Sequence, residues 1–282
     1  MSSHKDSSPN PTILIKIGGN ALTDSTTINN IISQVVELID KDFRPVIVHG
    51  GGIEIKQLLD DVGMHSEFIG GHRKTDRQTM KYVEMALSGS VNKHIVGLLN
   101  AAGVKAVGIS GKDAGMVKAV KRYHTEIFDD KEVHKDLGFV GDVLSVNTQL
   151  VDTLTGAGFV PVLSPVSMGK DGQSYNINAD MFAGHMARAM KAYKFIALTN
   201  IDGLLEDIDD SSSIIHFLTP EKARSLFGTV IQGGMIPKIE ACLIALEKGV
   251  KSAHIINGTQ KESLLRILSA PDPIGTTIKN SD

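Results

Sequence analysis

The sequence predicts an α/β protein built on a mostly parallel β-sheet with helices on both faces. Short apolar runs alternate with helix-period patterns along most of the 282 residues. The runs are apolar nearly throughout, as strands covered on both faces are. Two of them end directly on glycine clusters, the layout of a turn from a strand into a helix.

The elements follow in order. "TILIKI" (12–17) reads as a strand, and Ile28, Ile31, Ile32, Val35 and Val36 then recur at helical spacing. "PVIVH" (45–49) is the next strand, followed by the helical stripe Ile55, Leu58, Leu59 and Val62. "VKAVGIS" (104–110), "FVPVLSP" (159–165), "KFIALTN" (194–200) and "KSAHIIN" (251–257) read as further buried strands. Residues 111–146, with "GKDAGMVKAVKRYH" and "HKDLGFVGDVLSV", break the rhythm and predict antiparallel β-hairpins added to the sheet. The expected division is a leader over 1–11, a first lobe over 12–190 and a smaller second lobe over 191–282.

Composition excludes several classes. The 29 basic residues against 32 acidic ones give a net charge of −3 and no basic field for nucleic acid or a membrane surface. No apolar run approaches the roughly 20 residues of a membrane helix. The start, "MSSHKDSSPNP", has no hydrophobic signal core, so a polar, disordered leader on a cytoplasmic protein is expected. The single cysteine, Cys242, falls at helical spacing with Ile239, Leu243 and Leu246, which reads as core.

Chemistry is expected at the carboxyl ends of the strands, where open sheets bind ligands. In the first strand Ile13, Ile15 and Ile17 share one face, so Lys16 lies on the other with Leu14. A lysine in a covered strand is costly unless it sits at the open end beside an anion. Lys16 is at that end and Gly18-Gly19 follow, so an anion site competes with a lysine snorkelling from the strand terminus. The turn Gly50-Gly51-Gly52 presents backbone amides at a helix start, fit for a phosphate or a carboxylate. It matches neither G-x-G-x-x-G nor G-x-x-x-x-G-K-[ST], because Ile55 stands where both need glycine.

Further along, Arg73 in "GGHRKTD" precedes a helix that Thr75 or Asp76 caps; arginine suits a carboxylate, but taken alone Arg73 reads as a solvated loop residue in preference to a ligand contact. Asn176, Asn178 and Asp180 cluster at another helix start, where an acid complements the macrodipole. Gly233-Gly234 precede a helix with Pro237 in its first turn, and Lys238 follows where the dipole disfavours a cation. Two glycine-flanked lysines, a glycine turn and a helix-start aspartate together suggest phosphoryl transfer, which rests on positioning and charge stabilisation. A carboxylate acceptor, already ionised at neutral pH, would account for the absence of an obvious general base.

With these motifs assembled, the chain resembles the amino acid kinase family from residue 12 to 279. The ordered signatures are "IKIGGNAL", "VHGGGIEI", "GHRKTD", "GSVNKHIV", "GISGKDA", "DLGFVGDV", "SYNINAD", "LTNIDGLL", "GGMIPKI" and "SAHIING". The resemblance implies a three-layer α/β/α sandwich around a mainly parallel sheet. It also implies transfer of a phosphoryl group from ATP, bound with Mg2+, to the side-chain carboxylate of N-acetyl-L-glutamate, a step of arginine biosynthesis. The first lobe would bind the acid and form the dimer, and the second would bind ATP. Carried over by motif, Lys16 and Lys238 would stabilise the moving phosphoryl group and Asp180 would orient both. Gly51 and Gly52 would contact the reactive end of the acid and the phosphoryl group, Arg73 would grip the acid's α-carboxylate and Asn176 would hold its main part. Gly18 and Gly19 would support the ATP phosphates, with Thr199, Asn200, Gly233, Gly234 and Met235 beside the nucleotide. No residue is expected to bind the metal directly. The eleven residues before Thr12 are too short and polar for the N-terminal helix that joins dimers of arginine-inhibited members, so a homodimer is expected. Two other readings remain: a sibling kinase of a longer acid such as acetylaminoadipate, and a non-catalytic sensor of the same fold.

Overall fold

The structure is a computed structural model that describes residues 10–128, 131–269 and 273–281; residues 1–9 of the expected leader lie outside the described residues. The strands are β1 Thr12–Ile17, β2 Arg44–His49, β3 Phe68–Ile69, β4 His72–Arg73, β5 Ala106–Ser110, β6 Val117–Phe128 and β7 Lys131–Val146. They continue with β8 Val160–Ser164, β9 Val166–Gly169, β10 Ser174–Ile177, β11 Lys194–Thr199, β12 Phe217–Leu218, β13 Ser252–Asn257 and β14 Thr276–Ile278. The helices are α1 Gly19–Thr23, α2 Ser25–Asp40, α3 Gly52–Asp61, α4 Arg77–Glu84, α5 Asn92–Ala101 and α6 Gln149–Gly156. After these come α7 Ala179–Met190, α8 Pro220–Ser225, α9 Ile236–Leu246 and α10 Ser263–Ser269.

Among the described residues, eight strands form the main sheet in the order β12-β14-β13-β11-β1-β2-β8-β5. Every pairing in it is parallel except β13 with β14. The sheet has apolar side chains on both faces, which is why its strands read as unbroken apolar runs. Leu14, Val46 and Val48 pack into one cluster with Phe182 and Met186 of α7 and Ile239 and Cys242 of α9. Ile13, Ile15, Ile17 and Ile47 pack into another with Ile28, Ile31 and Val35 of α2 and Ile95 and Leu99 of α5. The expected α/β/α layering follows. One sheet runs through both expected lobes, since β11 pairs with β1.

The expected hairpin is present, but its partners differ from those expected. β6 and β7 pair antiparallel and close with β9 and β10 into a separate four-stranded barrel instead of extending the main sheet. Pro165, which has no N–H for a ladder bond, separates β8 from β9, so the chain leaves the main sheet there. The barrel's apolar side chains are continuous with the main core, since Val117, Ala119 and Tyr175 belong to the same cluster as Leu14 and Val48 of the main sheet and Phe182 of α7. Val140 of β7 and Asn176 and Ile177 of β10 line a cavity together with Lys16 of β1.

Candidate active site

Lys16 lies in the central strand, paired with Val48 on one side and Ala197 on the other. It is only 5% exposed, and its ammonium stands 2.8 Å from Oδ1 of Asp180. Asp180 is equally buried and sits in the first turn of α7, whose N-cap Asn178 accepts hydrogen bonds from the amides of Asp180 and Met181. Lys238 donates to the other carboxylate oxygen, Oδ2, at 3.3 Å.

This second bond depends on how closely two helices approach. A Cβ on Gly184 would fall 2.5 Å from the carbonyl oxygen of Ala241, so only glycine lets α9 lie this near α7. Gly184 is one turn beyond Asp180, and Ala241 is one turn beyond Lys238. The contact thus sets the spacing between the acid and the amine.

Two ammonium groups share one carboxylate, leaving a buried excess of positive charge. Burial works to raise the Asp180 pKa, but Lys16 and then Lys238 outweigh it and hold the carboxyl below its ordinary range. For Lys16 burial is the largest influence and lowers its pKa; Asp180 opposes this and Lys238 adds to it. Such a pair of cations is well suited to receive an anion.

The two glycine clusters face each other beside Lys16. A Cβ on Gly19 would lie 3.6 Å from the amide nitrogen of Gly52 and 4.0 Å from that of Gly51. The Gly50 amide is not free, because it donates to the Ile17 carbonyl at 3.0 Å. That corrects the expectation of three available amides: all three glycines line a cavity, but the Gly50 amide is already engaged, leaving those of Gly51 and Gly52.

Two cavities meet here. One, of about 260 Å³, is lined by Lys16, Gly19, Gly51, Gly52, Arg73, Asn176 and Asp180, with Phe68, Leu87 and Ile177 as apolar wall. The other, of about 170 Å³, is lined by Lys16, Gly18, Gly19, Thr199, Asn200 and Lys238. Lys16 and Gly19 belong to both. Gly233, Gly234 and Met235 line neither cavity; they form the short 3₁₀ turn that leads into α9 and so carry Lys238.

Arg73 is 9% exposed rather than solvated. Its guanidinium donates to the Gly52 carbonyl at 3.1 Å and to Ser66 Oγ, and lies 4.8 Å from the Phe68 ring centroid. Asp76, not Thr75, caps α4, accepting from the Thr79 amide at 2.7 Å. Lys56 is exposed and paired with Asp60, an ordinary helix lysine. The sequence offered a signal for Asn178, a helix-capping residue before an apolar-periodic run. It offered none for Phe68, Leu87 or Gly184, whose roles depend on contacts between distant segments.

Comparison with known proteins fits this geometry. Residues 11–257 match the amino acid kinase family. The chain belongs to that family. Among members of the family, an acetylglutamate kinase of Pelotomaculum thermopropionicum is 44% identical over 270 residues, 95% of this chain and 92% of that one. An acetylglutamate kinase of Bradyrhizobium diazoefficiens is 46% identical over 270 residues, 95% of this chain and 90% of that one. The crystal structure of smu.665 from Streptococcus mutans UA159 superposes with a TM-score of 0.76 at 30% identity, covering 96% of this chain and 99% of that one. Among the described residues no helix is long and apolar enough to cross a membrane.

Proposed function

We propose that this amino acid kinase transfers the γ-phosphoryl group of ATP to the side-chain carboxylate of N-acetyl-L-glutamate, giving N-acetyl-L-glutamyl 5-phosphate for arginine biosynthesis. The observation that carries the reading is Asp180 held between Lys16 and Lys238 where the two cavities meet. The acid is assigned to the cavity with Arg73 and Asn176, mainly in the lobe 12–190. The nucleotide is assigned to the cavity with Thr199 and Asn200, with Gly233, Gly234 and Met235 beside it, mainly in the lobe 191–282. The names carried by relatives at 44% and 46% identity support acetylglutamate as the acid.

In this reading a carboxylate oxygen attacks the γ-phosphorus, and the bond from phosphorus to the β–γ bridging oxygen breaks, so the electron pair leaves on ADP. No proton need be removed from the acceptor, because a carboxylate is already ionised at neutral pH. Lys16 and Lys238 neutralise charge on the equatorial oxygens, and the Gly51 and Gly52 amides meet the acceptor end. Asp180 acts through the lysines by fixing their spacing. Gly18 and Gly19 give the ATP phosphates close access to backbone.

The donor set suits a magnesium ion carried by the nucleotide. Both Asp180 oxygens face lysines, and among the described residues there is no group of three His, Cys, Asp or Glu side chains able to hold a metal. The phosphates of ATP would hold the ion, which would offset their charge. A homodimer in the cytoplasm completes the proposal; the exposed apolar residues Val120 and Leu144 on the hairpin offer surface for a second copy. Sedimentation velocity reads the assembly directly.

The substrate assignment is tested by kcat/KM for N-acetyl-L-glutamate against the acid one methylene longer. A preference of about 10-fold or more for acetylglutamate is expected from one methylene. Preference for the longer acid contradicts the assignment.

A further inference from the structure

Behind the glycine turn lies a buried polar chain that the proposed mechanism does not use. His49, the last residue of β2, is fully buried on the face of Ile47, toward α5. Its Nδ1 stands 2.8 Å from the Gly50 carbonyl oxygen. Its Nε2 stands 3.2 Å from Nδ2 of Asn92, a residue only 1% exposed at the start of α5. The same Asn92 nitrogen donates to the Val162 carbonyl at 2.9 Å.

These contacts fix the imidazole tautomer from both ends. A carbonyl oxygen can only accept, so Nδ1 carries the hydrogen. An amide nitrogen can only donate, so Nε2 presents its lone pair. Burial keeps the ring neutral, pushing its pKa down to about 4. Asn92 is itself held, with its Oδ1 accepting from Lys93, whose ammonium also donates to the Gly108 carbonyl at 2.9 Å. A Cβ on Gly108 would fall 1.8 Å from that Oδ1, so glycine there is a condition for Asn92 to occupy its place.

The consequence follows from peptide planarity. The described peptide bonds are all trans, and in a trans peptide the C=O and the following N–H point in opposite directions. Holding the Gly50 carbonyl toward His49 therefore turns the Gly51 N–H away from it, toward the side where Gly51 lines the cavity. The π-helical segment Met85–Val91 packs against the turn from the other side. A Cβ on Gly51 would lie 2.7 Å from Leu87 Cδ2 and 3.3 Å from Val91 Cγ2. The turn is thus wedged on one side and bonded on the other.

We propose that His49, oriented by Asn92, is a positioning residue that aims the Gly51 amide at the reacting carboxylate and phosphoryl group. The proposal rests on the function given above. A residue of merely structural value would alter stability; this one sets the direction of a catalytic donor while staying out of contact with either substrate.

The test compares His49→Leu, which keeps bulk without a donor, with His49→Asn, whose amide can donate near the Nδ1 position. For His49→Leu kcat is expected to fall by about 10-fold or more, while the KM values for acetylglutamate and ATP stay within about threefold. His49→Asn is expected to recover most of the loss. A normal kcat in a folded His49→Leu protein overturns the proposal, as does an equal loss in both variants. Long-range 1H–15N spectra of the wild-type protein need no variant to fold: the Nδ1–H tautomer is expected, and the Nε2–H tautomer overturns the proposal. Wild-type protein that releases no ADP with acetylglutamate would contradict the function given above. The tautomer, and a Gly51 amide resonance that shifts in His49→Leu and returns toward its wild-type position in His49→Asn, would still support the role of His49, whereas an unshifted resonance in His49→Leu overturns it.

Discussion

Lys238 reaches the Asp180 carboxylate at 3.3 Å because α9 rests directly on Gly184 of α7. The bond is a product of helix packing, which makes it testable at a position that touches no substrate. Gly184→Val must push α9 outward, since its first added carbon already meets the Ala241 backbone at 2.5 Å. Overpacking of this kind costs about 1–3 kcal/mol. A lower melting temperature is expected together with a loss of kcat larger than any change in KM, measured on protein kept well below its transition.

Asp180→Asn removes the charge between two ammonium groups and leaves them to repel each other. A fall of kcat on the order of 100-fold is expected, comparable with the loss of one preorganised donor. Lys16→Ala and Lys238→Ala are each expected to lower kcat far more than they weaken binding. Steady-state kinetics with both substrates varied separates these effects. Near-normal kcat in both lysine variants would contradict the mechanism.

Arg73→Ala removes a guanidinium that lines the cavity assigned above to the acid and is tied to Gly52 at 3.1 Å. Charge-assisted hydrogen bonds contribute about 1.5–3 kcal/mol, so KM for acetylglutamate should rise about 10- to 100-fold. The KM for ATP should change little. An unchanged KM for the acid would remove Arg73 from that site.

Two buried histidines set an acid limit on stability. Burial pushes the pKa of His49 down to about 4 and that of His254 down to about 3, from an ordinary 6.5. In each case the unfolded chain binds the proton more readily than the folded one. The stability from keeping the rings neutral is therefore complete above pH 6.5 and is lost as pH falls toward those lower values. For His49 alone the loss is on the order of 3 kcal/mol. Melting temperature measured across that range should drop, and His49→Asn should flatten part of the slope.

Much of this architecture was legible in the chain. The strands ending at Ile17, His49, Thr199 and Asn257 are read correctly because burial on both faces makes them continuously apolar. Lys16 stood out because a cation in such a strand needs a partner, and Asp180 is that partner. Arg73 did not stand out, since its burial comes from Phe68, Ser66 and Gly52, which no local pattern joins to it. The hairpin was visible but not its pairing with β9 and β10, because strand partners are set by tertiary packing. Gly184, Asn92 and Gly108 were silent for the same reason: each matters through one close contact with a distant segment.

The central claim is that an acyl phosphate forms on acetylglutamate at the junction of the two cavities. 31P NMR of the protein with ATP, Mg2+ and N-acetyl-L-glutamate tests it most directly. An acyl phosphate resonance that grows in equal amount with ADP, and disappears on adding hydroxylamine, is the predicted result. ADP without an acyl phosphate, or no turnover of ATP when the acid is present, would contradict the account.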